Sequence, residues 1–69
     1  IEFYPESAEA EYRLAGLFFV TNKAEKGYFH LKNALKIDSE YYIIIEELFP
    51  SIFSRKSVRQ IINSFVKLS

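Results

Sequence analysis

The chain has 69 residues, of which 49% are hydrophobic and 17% aromatic, and its nine basic side chains balance nine acidic ones. A chain of this length forms one small domain of marginal stability, and its apolar content separates it from disordered chains. Because it has no cysteine, its composition excludes disulfide bridges and thiolate metal sites. Any core has to be held by packing or completed by a neighbour.

The two signs of charge are separated along the sequence. All nine acids precede Pro50, together with five bases, so this part carries a net charge of −4. The tail carries +4, from Arg55, Lys56, Arg59 and Lys67. This separation predicts that the tail docks on the acidic body or on an acidic partner, and the alternative is a solvated basic helix face.

The first predicted helix covers about residues 7–21. Pro5-Glu6-Ser7 reads as a breaker followed by a helix cap at Ser7, and Asn22 tolerates the left-handed conformation that ends helices. Between these ends the apolar residues form two stripes at helical spacing, which predicts neighbours on two sides. One stripe consists of Leu14, Ala15 and Phe18, and the other of Tyr12, Gly16, Phe19 and Val20.

The second predicted helix covers about residues 24–37. Its apolar positions follow the helical period, with Ala24, Tyr28, Leu31 and Leu35 in one row. A glycine inside a helix costs about 1 kcal/mol relative to alanine, so Gly27 predicts a close approach of another helix. Because the link between the two helices is so short, we expect them to fold back antiparallel.

The remainder of the chain predicts two more helices, over about 40–49 and 55–67. Two tyrosines and three isoleucines favour a strand in the first of these segments by propensity. Glu46, Glu47 and the absence of a pairing strand favour a helix, which Pro50 ends. For the last helix, Ser54 or Ser57 is the candidate cap, and Ser57 with Gln60 has the spacing of a capping box. Its apolar stripe consists of Val58, Ile61, Ile62 and Phe65.

Two helices in a unit of about 34 residues are typical of the tetratricopeptide repeat. Residues 5–39 resemble this family without a gap. Helix A matches at Ala8-Glu9-Ala10, Tyr12, Leu14-Ala15 and Phe18, and helix B matches at Gly27, Leu31, Ala34-Leu35, Ile37 and Asp38. The chain departs from the family pattern at Glu11 and Asn22, where Trp and Gly are common.

The resemblance implies an all-α fold, a tetratricopeptide-like antiparallel hairpin with two C-terminal capping helices. Residues 1–5 are then the end of a preceding repeat, 6–39 one full repeat, and 40–69 the cap. The segment from Glu46 onward looks like the end of many bacterial tetratricopeptide proteins. Since Tyr12, Phe19 and Val20 would lack a preceding repeat to cover them, we expect self-association through this N-terminal face.

The resemblance also implies a protein–protein interaction scaffold that binds a peptide or helix on the concave face of helix A. The candidate partner-binding residues are Glu9, Tyr12, Arg13, Gly16, Phe19 and Val20. Gly16 leaves space for an incoming group between two aromatic walls, while the alternative is that Tyr12 and Phe19 pack on the preceding repeat. Chaperone-binding members have Lys and Asn where this chain has Tyr12 and Gly16, so a neutral or apolar partner is expected.

Other functional classes find less support in the sequence. His30 is the only histidine, and the adjacent Glu46 and Glu47 do not face each other on a helix. We therefore predict no enzyme, no metal and no cofactor. A small DNA-binding domain that uses the basic C-terminal helix is the rival interpretation, but the isoelectric point near 6.8 favours a protein partner over nucleic acid. The longest apolar run, Ile43 to Ile45 after two tyrosines, is too short to span a membrane.

Overall fold

A computed structural model describes residues 7–67, and every regular element in that range is helical. The elements in chain order are α1 (Ala8–Val20), α2 (Ala24–Ile37), a 3₁₀ turn (Ser39–Tyr42), α3 (Ile43–Leu48), α4 (Pro50–Phe53) and α5 (Lys56–Phe65). The predicted all-α class is confirmed. Residues 1–5, which we expected to end a preceding repeat, lie outside the described residues.

Both ends of α1 have the predicted chemistry. At its start, the Ser7 hydroxyl accepts a hydrogen bond from the Ala10 amide at 3.4 Å. At its end, Asn22 adopts a φ of 65°, and the Lys23 amide donates to the Phe18 carbonyl at 2.8 Å. This is a Schellman ending, in which a left-handed residue lets the chain turn back over the last helical carbonyls. The turn leaves only three residues between α1 and α2.

The two long helices lie side by side and run in opposite directions. Near the turn, the Phe19 ring packs edge-on against the Tyr28 ring, with 4.9 Å between centroids. At the far end, the Tyr12 hydroxyl donates to the Asp38 carbonyl at 2.7 Å. A Cβ atom at Gly27 would lie 2.9 Å from the Phe19 ring, so the close approach predicted at this glycine is confirmed.

The core lies between this helix pair and the segment that follows it. Its buried apolar residues are Tyr12, Ala15, Phe19, Leu31, Ala34, Leu35, Ile44, Ile45, Ile52, Val58 and Ile62. The predicted contact set of the helix pair is partly wrong, because Leu14 is 39% exposed and Phe18 is only half-buried. The reason is that the C-terminal segment covers the stripe that contains Tyr12 and Phe19 and leaves Leu14 outside.

The segment after α2 is helical, as predicted, but it is broken twice. It begins as a 3₁₀ turn, continues as α3 and ends at Leu48, after which Phe49 leaves the helical conformation with a φ of −134° and a ψ of 62°. Pro50 then starts α4, a short helix that the sequence did not indicate. Proline cannot continue a helix but is favoured at the first position of the next one. The sharp bend at Phe49 follows from this preference.

Helix α5 is shorter than predicted and is not capped by serine. Arg55 takes the cap position without a side-chain hydrogen bond. The Ser57 hydroxyl bonds instead to the Tyr28 hydroxyl, which fastens α5 to α2. The predicted apolar stripe does face inward at Val58 and Ile62, which are fully buried. Phe65, the last member of the predicted stripe, is 40% exposed. Thus the apolar period predicts the buried side of α5 correctly except at its end, while the capping-box prediction is wrong.

Tyr12 generates a prediction for the stability of this fold. Its side chain is fully buried, and burial, with a smaller contribution from the Asp38 carboxylate, raises the pKa of the phenol. In the unfolded chain the pKa is about 10. The folded-state pKa of the phenol is higher than the unfolded-state pKa. The stabilisation by the neutral phenol is therefore complete below about pH 10 and is lost as the pH rises toward the folded-state pKa.

We predict that Tyr12→Phe lowers the free energy of unfolding by about 1 kcal/mol at neutral pH, since two backbone carbonyls lose their donor. Urea denaturation at about pH 11 should find that the difference in free energy of unfolding between wild type and Tyr12→Phe is smaller or reversed. The wild type loses stability as unfolding lets its phenol ionise, whereas the variant has no phenol at this position. Tyr41→Phe is the matched control and should change stability by less than about 0.5 kcal/mol at neutral pH. If the difference in free energy of unfolding between wild type and Tyr12→Phe did not change with pH, the raised pKa of Tyr12 would be contradicted.

Candidate functional site

Three of the six predicted partner-binding residues belong to the core. Tyr12 is 0% exposed and Phe19 1% exposed, and Gly16 is buried between them on the same helix face. The expectation that these three residues are exposed to a partner is therefore wrong. Their burial also removes Tyr12 and Phe19 from the face through which self-association was expected.

The space predicted for a partner's side chain is occupied by Phe49 of the same chain. A Cβ atom at Gly16 would overlap the Phe49 ring, which shows how closely the ring lies against the bare backbone of α1. Phe49 reaches this position because it lies in the bend between α3 and α4. Packing on the preceding repeat, which was the alternative for Tyr12 and Phe19, is not what buries them, because the elements that cover α1 follow it in the chain.

The other three predicted residues are exposed but do not line a common pocket. The Arg13 guanidinium forms an ion pair with the Glu9 carboxylate at 3.0 Å, with side chains 53% and 49% exposed. A solvent-exposed pair at this helical spacing contributes about 0.3–0.5 kcal/mol. Val20, 49% exposed, lies near the end of the same helix. These side chains line the edges of an apolar surface and do not form its centre.

That apolar surface is the face of α1 that points away from the core. Its row, which we call the outer stripe, has the spacing i, i+4, i+7 and i+11 and consists of Ala10, Leu14, Leu17 and Thr21, all exposed. Leu17 is 52% exposed, and α1 carries no charge after Arg13. A helix that is apolar on both sides is usually covered on both. Sequence reasoning missed Leu17, although its spacing from Leu14 and the lack of charge are visible signals.

A half-buried aromatic and polar cluster flanks the outer stripe and ties α1 to α2. The His30 ring stacks on Phe18 at 5.3 Å, and the Lys26 ammonium lies 5.7 Å from the centre of the same Phe18 ring. The His30 Nδ1 atom is 2.6 Å from a Glu11 carboxylate oxygen. Glu11, which replaces the Trp common in the resembled family, therefore has a structural contact of its own. His30 is a boundary side chain, as expected.

A second surface of distinct chemistry lies on α5. We define the α5 basic cluster as Arg55, Lys56 and Arg59. The Arg55 and Arg59 guanidinium groups lie over the rings of Phe19 and Phe53, at 5.7 and 5.2 Å from the ring centres. An open cavity of about 430 Å³ adjoins the cluster and is lined by Ser54, Lys56, Arg59, Gln60 and Asn63. The tail thus docks on the body by apolar and aromatic packing, and its charges point outward.

Metal sites and membrane-spanning helices were also sought in the described part of the chain. Between residues 7 and 67, no three or more His, Cys, Asp or Glu side chains come together in a group that could hold a metal ion. Among the helices of that range, none combines the length and the apolar character that a membrane crossing requires. Two surfaces remain as candidate sites, the outer stripe and the α5 basic cluster.

Comparisons with known proteins give no match. No family model matches the chain, and no significant similarity to a curated protein or to a solved structure was found. The tetratricopeptide resemblance therefore rests on the residue pattern alone, and the function has to be inferred from the two surfaces.

The contact between Gly16 and Phe49 predicts that the effect of Gly16→Ala on stability changes sign when the Phe49 ring is removed. Gly16→Ala should lower the free energy of unfolding by up to about 2 kcal/mol. This value is the difference between an overpacking cost of about 1–3 kcal/mol and a helix-propensity gain of about 1 kcal/mol. In a Phe49→Ala background the overlap is gone, so the same substitution should stabilise by about 1 kcal/mol.

Urea denaturation of the four proteins completes this double-mutant cycle. Phe49→Leu replaces Phe49→Ala if the latter does not fold, because leucine keeps an apolar group at the bend while removing the ring. If Gly16→Ala has the same sign and size in both backgrounds, the ring does not lie on Gly16.

Proposed function

We propose that this chain is a protein–protein interaction module that binds a helix of another protein along the outer stripe of α1. The observation that carries the proposal is the exposure of Leu14 and Leu17 on the side of α1 opposite the buried Tyr12 and Phe19. Exposed apolar surface on a regular element is a common mark of a contact with another protein. The binding face proposed here replaces the concave face, which the chain covers with its own Phe49.

The chemistry of the outer stripe defines the partner. No charged residue occurs between Leu14 and Val20, so the partner's contact face is neutral and apolar. Small side chains at the ends of the stripe, Ala10 and Thr21, and leucines in the middle let the ridges of a second helix pack closely. Covering each half-exposed leucine contributes on the order of 1 kcal/mol, which favours a partner helix long enough to cover both.

A tetratricopeptide-like role is consistent with this surface. In stacked repeats, each helix pair packs on a neighbour at both faces, and the terminal repeat is capped on one side. The α1–α2 pair has one face covered by α3, α4 and α5 and one face with exposed apolar residues. We infer that α3–α5 act as a C-terminal cap and that the outer stripe receives the neighbouring helix. Self-association, where it occurs, uses this stripe as well.

Binding is a better account of this chain than catalysis. His30, which is the only histidine of the chain, contacts the Glu11 carboxylate. That contact links α1 to α2. Its side chains are mostly buried, 15% and 21% exposed, and stacking on Phe18 covers one face of the imidazole. We therefore propose a structural role for this pair and a binding role for the surface beside it.

Site-specific photocrosslinking tests the proposed face. With p-benzoylphenylalanine at position 17, we expect discrete protein adducts when the chain is expressed in its cell of origin. The matched control places the same group at position 47, where Glu47 is an exposed, charged residue of α3, and should give no such adducts. Identification of the adducts by mass spectrometry separates a foreign helix from a second copy of the chain.

A Leu14→Glu substitution should remove the adducts at position 17, because a carboxylate would have to be buried against the apolar partner. It should lower the free energy of unfolding of the free chain by about 1 kcal/mol, because Leu14 is 39% exposed and the substitution removes apolar surface that is buried. Equal adducts at positions 17 and 47, or adducts that survive Leu14→Glu, would exclude the outer stripe as the binding face.

A further inference from the structure

Within residues 7–67, the basic side chains of α5 form no ion pair with an acidic side chain. The sequence contains no Asp or Glu after Glu47. Between residues 7 and 67, the ion pairs within 4.0 Å are Arg13 with Glu9 and His30 with Glu11, and none involves the α5 basic cluster. Placing Arg55 and Lys56 at the amino end of a helix is also unfavourable, because that end carries partial positive charge. The described part of the chain therefore supplies no carboxylate that pairs with these three cations, whereas an external anion would.

Two of the three cations are held in place by aromatic rings. Arg55 lies over Phe19 and Arg59 over Phe53. A contact of this kind restrains a guanidinium through its face while its N–H groups remain able to donate hydrogen bonds. Within residues 7–67 neither guanidinium donates a hydrogen bond, since the side-chain bonds of that range involve other residues. These donors can therefore serve an external anion, with which a guanidinium forms strong, charge-assisted hydrogen bonds.

The cavity beside the cluster combines polar groups with the aliphatic parts of long side chains. Its five residues supply a hydroxyl, an ammonium, a guanidinium and two carboxamides. Lys56, Gln60 and Asn63 follow the spacing i, i+4 and i+7, so they form a row along one side of α5 about 10 Å long. A row of donors suits a ligand whose acceptors repeat along its length.

We propose that α5 binds the phosphodiester backbone of a nucleic acid through Arg55, Lys56 and Arg59. A polymer with regularly spaced phosphates can meet cations that lie one helical turn apart, whereas a single phosphate reaches only part of the cluster. Gln60 adds hydrogen-bonding groups suited to sugar and phosphate oxygens or to base edges. The net charge of −4 before Pro50 repels the same ligand, so the separation of charge directs nucleic acid to α5. This surface is independent of the outer stripe.

Fluorescence anisotropy with a labelled mixed-sequence DNA duplex of about 20 base pairs tests the proposal on the whole chain. For three phosphate contacts, the logarithm of the association constant should fall with the logarithm of the salt concentration at a slope of about −2.7. This slope corresponds to a loss of affinity of about 40-fold between 50 and 200 mM NaCl. Arg59→Gln should reduce the slope to about −1.8, or about 12-fold over the same range.

The matched controls keep the result specific to α5. Lys36→Gln removes the same charge from α2 and should leave the slope unchanged, and Arg59→Lys should restore the slope lost in Arg59→Gln. Circular dichroism of each variant verifies that the helices persist. Equal effects of Arg59→Gln and Lys36→Gln, no binding at 50 mM NaCl, or equally tight binding of a poly-glutamate peptide would each overturn the proposal, the last in favour of an acidic protein.

Discussion

The contact between the Phe49 ring and the bare backbone of Gly16 is the constraint on which the arrangement of this chain depends. Gly16 lies between Tyr12 and Phe19 on one face of α1, and the absence of a Cβ atom lets the ring come close enough to cover both. Because Phe49 lies immediately before Pro50, the same contact positions the bend from which α4 and α5 continue. A larger side chain at position 16 would displace the ring and with it the packing of Ile45 and Ile52, which belong to the same buried core.

This internal contact decides which surfaces remain available to partners. The face of α1 that could have received a foreign side chain is covered, so its apolar character serves folding. The opposite face keeps Leu14 and Leu17 exposed, and its lack of charge suits another helix. The α5 basic cluster is turned outward because the apolar side of that helix, at Val58 and Ile62, packs into the core. Protein binding and phosphate binding are therefore proposed for different elements, each on the chemistry that its own exposed side presents.

Local chemistry predicted most of the helices and their ends. Ser7 and Asn22 delimit α1, Gly27 marks the close approach to Phe19, and Pro50 ends α3, because each residue type restricts the backbone in its immediate vicinity. The orientation of α1 could not be predicted in the same way. Both of its stripes are apolar and have the helical period, so the choice between them depends on Phe49, more than thirty residues away. The capping prediction at Ser57 failed for a related reason, since the hydroxyl finds Tyr28 on another helix. Because Phe49 covers the face with Tyr12 and Phe19, the candidate site consists of Leu14 and Leu17 on the opposite face and not of the residues predicted from the sequence.

The most direct test of the central contact is a nuclear Overhauser experiment on the isotope-labelled chain. If the ring lies on α1 as described, the Phe49 ring protons show cross-peaks to the Gly16 α-protons, and the Gly16 signals are displaced upfield by the ring current. Loss of both effects in Phe49→Leu would assign them to this ring. Absence of the cross-peaks in the folded wild-type chain, with Gly16 α-protons at ordinary helical shifts, would contradict the account.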